Sequence, residues 1–243
     1  MLALKLNIND TGHIAPTRPA ATVILLREGR DDVDVLMLHR NKALAFAGGL
    51  WVFPGGAIDQ GDIDAASGDI ASASANAALR EAKEESGLEV DAASMVPLSF
   101  WTTPVVEKKR FHTAFFVAKV DGSDRVSIDG GEIQDAEWIG IDQAINKHRA
   151  GELGLLPPTL MTLKQLSGFG SVEATLSAVK AAPTAHIAPV VAMQPTGPII
   201  MFAGDAGIAE GDASVPGNRN RCELIDKHWT YLYSDGGVRV DRL

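Results

Sequence analysis

The sequence predicts an α/β protein: a mixed β-sheet packed between helices. Two apolar, β-branched runs, Ala20–Leu26 and Asp34–Arg40, flank a charged turn and read as a hairpin. A helical stretch, Ala75–Ser86, follows a Gly-Gly turn at the end of another apolar run. Further strand-like and helix-like segments alternate through the rest of the chain, the pattern of helices laid on a sheet.

In chain order, Met1–Pro19 carries scattered Pro, Gly, Asn and Asp and reads as a tail or a loose first strand. Asn41–Gly49 is a loop with Phe46 as its expected anchor, and Trp51-Val52-Phe53 is a short strand. In Pro54-Gly55-Gly56 the two glycines permit unusual backbone angles and let the chain pass close to a ligand. Asp59–Asn76, polar and small-residue rich, feeds the helix. Ala92–Trp101 is a strand with a proline expected at an edge, and Phe111–Val120 alternates as another. Ala136–Ile139 is a short strand before a helix over Ile141–Ala150. Pro157–Leu166 and Ser171–Ala182 are helical, the first opening on proline. Ile187–Ala192, Pro198–Phe202 and Trp229–Tyr233 are strands among Gly/Asp-rich loops.

At about 100° per residue, Glu81, Glu84 and Glu85 share about a third of the helix circumference. Ala75, Ala78, Leu79 and Ala82 gather on another face, suited to a sheet. Gly87 stands where helices end in a left-handed residue. Three adjacent carboxylates repel one another, and a hard divalent cation with oxygen ligands resolves that repulsion. A solvated acidic face has the same composition. The glycines on either side and the preceding strand favour a metal site.

The chain of 243 residues suits one domain with an elaboration, or two small domains. A net charge of -9 argues against nucleic acid or an anionic membrane as partner, while a bound cation still admits a small anionic substrate. Cys222 is the single cysteine, so no internal disulfide forms, and no motif surrounds it. No signal peptide or membrane-spanning run is evident, and Asp241-Arg242-Leu243 matches a peroxisomal address poorly. A cytoplasmic location is expected. The oligomeric state, a homodimer included, stays open.

Gly56, Arg80, Glu81, Glu84, Glu85, Gly87 and Leu88 resemble the Nudix hydrolase signature, G-x5-E-x7-R-E-U-x-E-E-x-G-U, where U is bulky and apolar. Asp62 stands at the first acidic position in place of Glu, Ala82 replaces a larger aliphatic, and about ten extra residues separate Asp62 from Arg80. The resemblance implies an α/β/α sandwich over 20–150, with an N-terminal tail (1–19) and a C-terminal extension (151–243) packing on it. It further implies hydrolysis of the diphosphate linkage in a nucleoside diphosphate derivative, dependent on Mg2+ or Mn2+. Glu81, Glu84 and Glu85 would be the metal ligands and Arg80 an orienting residue. Gly55 and Gly56 would bring backbone to the bound group. The base is either a box glutamate, Glu84 among them, or a later loop acid: Glu132 first, Glu107 behind it. Looser parallels, among them Leu38-His39-Arg40, Arg110–Phe116, Leu156–Thr159 and Gly204-Asp205, resemble the peroxisomal coenzyme A diphosphatase branch, so coenzyme A or an acyl-CoA is the leading substrate. Only Lys42 supplies the basic residues that branch expects in Asn41–Gly49. The insertion and Asp62 motivate an alternative, a catalytically weak nucleotide-binding or regulatory module. His112 reads as a packed or hydrogen-bonded residue, and Gly204-Asp205 and Gly211-Asp212 as turns.

Overall fold

The computed structural model describes residues 13–30, 32–44, 47–121, 125–128, 130–235 and 238–240. Phe46 and most of the N-terminal tail lie outside the described residues.

The central sheet is built on β1 (Thr17–Glu28), which starts inside the segment expected to be a tail. Its far end forms a hairpin with β2 (Val33–Arg40), while its near half pairs with β4 (Gly55–Ala57). On the other side β1 runs parallel to β6 (Arg110–Lys119) from Thr17 to Leu26. β5 (Val96–Thr102) pairs antiparallel with β6 and parallel with β8 (Ala185–Ile187). β3 (Trp51–Val52) and β7 (Ile133–Gly140) both pair with β2. The sheet is therefore mixed.

Alternation along β1 divides the core. Val23 and Leu25 face one way, with Ala114, Phe116 and Ala118 of β6. Ile24 and Leu26 face the other, with Phe115 and Val117. The first face receives α2 (Ile70–Ser86) through Ala73, Ala77, Ala78 and Ala82, preceded by the short α1 (Gln60–Ala65). The buried stripe thus includes Ala73 and Ala77, while Ala75 and Leu79 are only half-buried, a rotation from the expected face. The second face receives α3 (Ile141–Arg149), α4 (Pro157–Leu166) and α5 (Val172–Ala181). The Glu28 carboxylate accepts the Val172 N–H at the start of α5, where a helix favours an anion.

A second, antiparallel sheet runs β9 (Val190–Gln194), β10 (Gly197–Met201), β11 (Arg219–Ile225), β12 (His228–Asp235), β13 (Val238–Val240). Ile200, Phe202, Cys222 and Trp229 enter the same core as α3–α5. His148 of α3 pins the two parts together, lying 2.8 Å from Leu153 O and 3.0 Å from Trp229 O.

Two expectations change. Ile187–Ala192 is two strands in different sheets, separated at Ala188-Pro189. β8 flanks β5 only over Ser99–Trp101, so Pro97 keeps the open edge expected of it, beside a register shift between Pro97 and Ser99. The polar insertion is largely helical: it forms α1 and the first two turns of α2, which Asp69 caps by accepting from Ser72 N–H. His112 is exposed; it stacks on Phe100 at 5.4 Å and hydrogen-bonds Thr102 at 2.9 Å, the hydrogen-bonded one of the two expected roles.

Candidate active site

α2 crosses β1 and β4 with its acidic residues above the Gly-Gly strand. The alanines set the distance, since small side chains let a helix approach the sheet closely. Gly55 and Gly56 are needed for that proximity. Neither has a positive φ, so the left-handed backbone that glycine permits is not used here. A β-carbon on Gly55 would stand 2.5 Å from Ala21 O, and one on Gly56 would collide with the Glu81 carboxylate. Gly87 does close α2 in the left-handed region, at φ 71°.

The three glutamates diverge. Glu85 is buried, and its Oε2 accepts the Gly55 N–H at 3.0 Å. Burial pushes its carboxyl up to about 7; the Gly55 N–H and Arg40 oppose this, and the charges of Glu81 and Glu132 add to it. Glu81, half-buried over Gly56, is also raised, chiefly by burial, with Arg80 opposing. Glu84 is largely exposed and turns toward Arg80 at 3.1 Å.

Arg80 is the hub. It donates to both carboxylate oxygens of Asp62 at 3.2 and 2.9 Å, to Glu81 at 2.8 Å and to the Ala57 carbonyl at 3.1 Å, as well as to Glu84. The hydrogen bond with Asp62 leads in raising the Arg80 guanidinium further above its already basic range. Burial works to raise Asp62, but the Arg80 and Asp59 hydrogen bonds outweigh it and hold the carboxyl below its usual range. Asp62 also closes a capping box with Asp59, each side chain accepting the other's N–H at 3.0 Å. The insertion therefore loops out as α1 and returns Asp62 to the helix it precedes.

Glu132 reaches the site from the loop before β7. Its carboxylate accepts from Arg40 Nη2 at 2.9 Å, and Arg40 Nη1 lies 3.7 Å from Glu85. Glu107 lies in the turn between β5 and β6. The structure thus brings together Glu81, Glu85 and Glu132, with Arg80 and Glu84 at one side. Arg40 had no role assigned from sequence; its signal was a charge closing the apolar run Val35–Leu38. Asp205, expected in a turn, is a buried ion-pair partner of Arg221 at 2.6 Å.

Among the described residues no three His, Cys, Asp or Glu side chains form a ready-made metal cage. The donor set nevertheless fits a hard divalent ion. Mg2+ is commonly held by one or two carboxylates plus substrate oxygens rather than by a closed protein cage. Glu81 and Glu85, one turn apart and both raised chiefly by burial, are such a pair, and a cation beside them would keep both ionised.

A mixed sheet between helix layers, with an acidic helix over a Gly-Gly strand, defines the class: an α/β/α sandwich. Residues 16–157, more than half the chain, match the NUDIX domain, and the chain belongs to the Nudix family. A Caenorhabditis elegans protein described as nudix hydrolase 7 is 28% identical over 185 residues, covering 62% of this chain and 60% of that protein. An acyl-coenzyme A diphosphatase of Xenopus laevis is 30% identical over 79 residues, covering 31% of this chain and 21% of that protein. The matched regions thus span less than two thirds of either relative. A crystal structure of a Nudix hydrolase from Alicyclobacillus acidocaldarius superimposes with a TM-score of 0.63 at 25% identity, covering 70% of this chain and 100% of that one. Among the described residues no helix is long and apolar enough to cross a membrane.

Proposed function

We propose that this chain hydrolyses the diphosphate linkage of a nucleoside diphosphate derivative with the help of Mg2+ or Mn2+, and that coenzyme A or an acyl-CoA is its substrate. The carrying observation is the buried Glu85, held on Gly55 N–H beside Glu81 and Glu132 in a Nudix fold. A buried carboxylate raised to about 7 by its surroundings and its acidic neighbours is costly to keep, and a cation site accounts for it. The Xenopus relative supports the acyl-CoA assignment through its partial match.

In this reading Glu81 and Glu85 are the principal metal ligands and Glu84 completes the acidic cluster from its exposed side. A divalent ion held there would neutralise phosphoryl oxygens and acidify a bound water. Arg80, fixed by Asp62, holds Glu81 and Glu84 in orientation. Glu132 takes the proton of the attacking water while the phosphorus–oxygen bond of the bridge breaks, giving two phosphorylated products. Gly55 and Gly56 keep the cleft floor free of side chains. Residues 20–150 carry the chemistry, and the extension 151–243, packed on them, contributes to choice of the remaining substrate group.

The test is a panel of coenzyme A, an acyl-CoA, NADH, ADP-ribose and dinucleoside polyphosphates with Mg2+ or Mn2+. Turnover of coenzyme A or the acyl-CoA should be fastest. Glu85→Gln should lose more than the ~10–100-fold that outer-shell partners of metal sites typically cost. Undiminished metal-dependent turnover in that variant contradicts the site. Tight nucleotide binding without product, even with Mn2+, would instead favour a binding module. The ion pair of Asp62 with Arg80 at 2.9 Å supports the catalytic reading over that alternative.

A further inference from the structure

Glu132 follows two glycines, Gly130-Gly131, and Gly130 has a φ of +72°. A carboxylate on such a chain samples many positions unless something outside the loop holds it. The end of β2 does so. Arg40 Nη2 donates to the Glu132 carboxylate at 2.9 Å, the Asn41 N–H donates to the Glu132 carbonyl at 2.8 Å, and Asn41 Nδ2 donates to the Gly131 carbonyl at 3.2 Å. Arg40 is itself anchored: its N–H donates to Leu50 O, and its carbonyl accepts from Gly49 N–H, both at 3.0 Å. The same guanidinium places Nη1 3.7 Å from Glu85. One planar fork thus spans a loop carboxylate and a helix carboxylate, a geometry that a lysine's single ammonium reproduces poorly.

We propose that Arg40, with Asn41, is a positioning clamp that sets the Glu132 carboxylate against Glu85. Arg40 acts through Glu132, not on the substrate. This inference rests on the role given to Glu132 above. It differs from a purely structural role, because catalytic groups need placement to within about 0.5 Å, finer than folding requires. Arg40 Nε is buried with no acceptor among the described residues, so direct contact with a substrate oxygen is the rival role to be tested.

The experiment is a double-mutant cycle with wild type, Arg40→Met, Glu132→Gln and the double variant, using coenzyme A and ADP-ribose with Mn2+. Each single change should lower kcat by ~10–100-fold. KM should stay within about threefold, and the double variant should be no slower than Glu132→Gln, the sign of two residues acting as a unit. Arg40→Lys should recover part of kcat. Effects that multiply, or a raised KM at unchanged kcat, overturn the clamp. A wild type without Mn2+-dependent turnover defeats the proposed function instead. The clamp is then read from amide hydrogen exchange, where Arg40→Met should speed exchange at Asn41, Glu132 and Ile133 but not in α2. Unchanged exchange at those amides, or a general loss of protection, overturns it.

Discussion

At the scale of single residues, the account turns on Glu85. Its carboxyl is raised from 4.5 to about 7, so between those values the folded protein keeps a proton that the unfolded chain releases. Stability therefore falls as pH rises through that window and levels off above it, by about 3 kcal/mol for this group alone. The expected outcome is a lower Tm at pH 8 than at pH 5.5 in the absence of divalent ions. Mg2+ should restore Tm at pH 8 by binding the folded, ionised form. Thermal melts of Glu85→Gln should lose this part of the slope, and an unchanged slope would assign it to other groups. The glutamates were legible in the sequence because i, i+3 and i+4 spacing on a helix is a local property. Arg40 and the restored place of Asp62 were not. Arg40 meets Glu132 across a sequence separation of 92 residues and Asp62 meets Arg80 across 18, and no periodicity reports such contacts.

At the scale of elements, α2 serves two purposes with one sequence: alanines against the sheet and carboxylates over Gly55-Gly56. Its N-terminus lies several turns from the chemistry. Asp69→Ala removes the N-cap, which accepts from Ser72 N–H, and should lower stability measurably with kcat unchanged. Chemical denaturation together with kinetics checks this. A fall in kcat at full folding would show that the first turn of α2 positions the site. Where the sequence misled, the reason was also local. β11 carries Arg219, Asn220 and Arg221 and lacks the apolar run of a recognisable strand. Arg221 is nevertheless buried, because Asp205 neutralises it and Ala213 O accepts from it.

At the scale of the molecule, the central sheet is sealed on one face by α2 and on the other by α3–α5 and the second sheet. Those last parts share one core with Ile24, Leu26 and Val117, so the C-terminal portion should unfold with the rest in one cooperative transition. Asp205 anchors the long loop between β10 and β11 by accepting from Gly207, Asn220 and Arg221. Asp205→Ala leaves Arg221 buried without its partner and should cost roughly 3–5 kcal/mol. Calorimetry should show a single transition moved to lower temperature. Two separated transitions would mean that the extension folds independently. The α/β class and the helical layer were readable from hydrophobic pattern. The sharing of one core between both sheets was not, since it depends on packing between segments far apart in sequence.

The most direct measurement is anomalous diffraction at the manganese edge from crystals soaked in Mn2+. Density within coordinating reach of both the Glu81 and Glu85 carboxylates, lost in Glu85→Gln, is the predicted result. Density elsewhere, or none while those two side chains keep their present positions, would contradict the account.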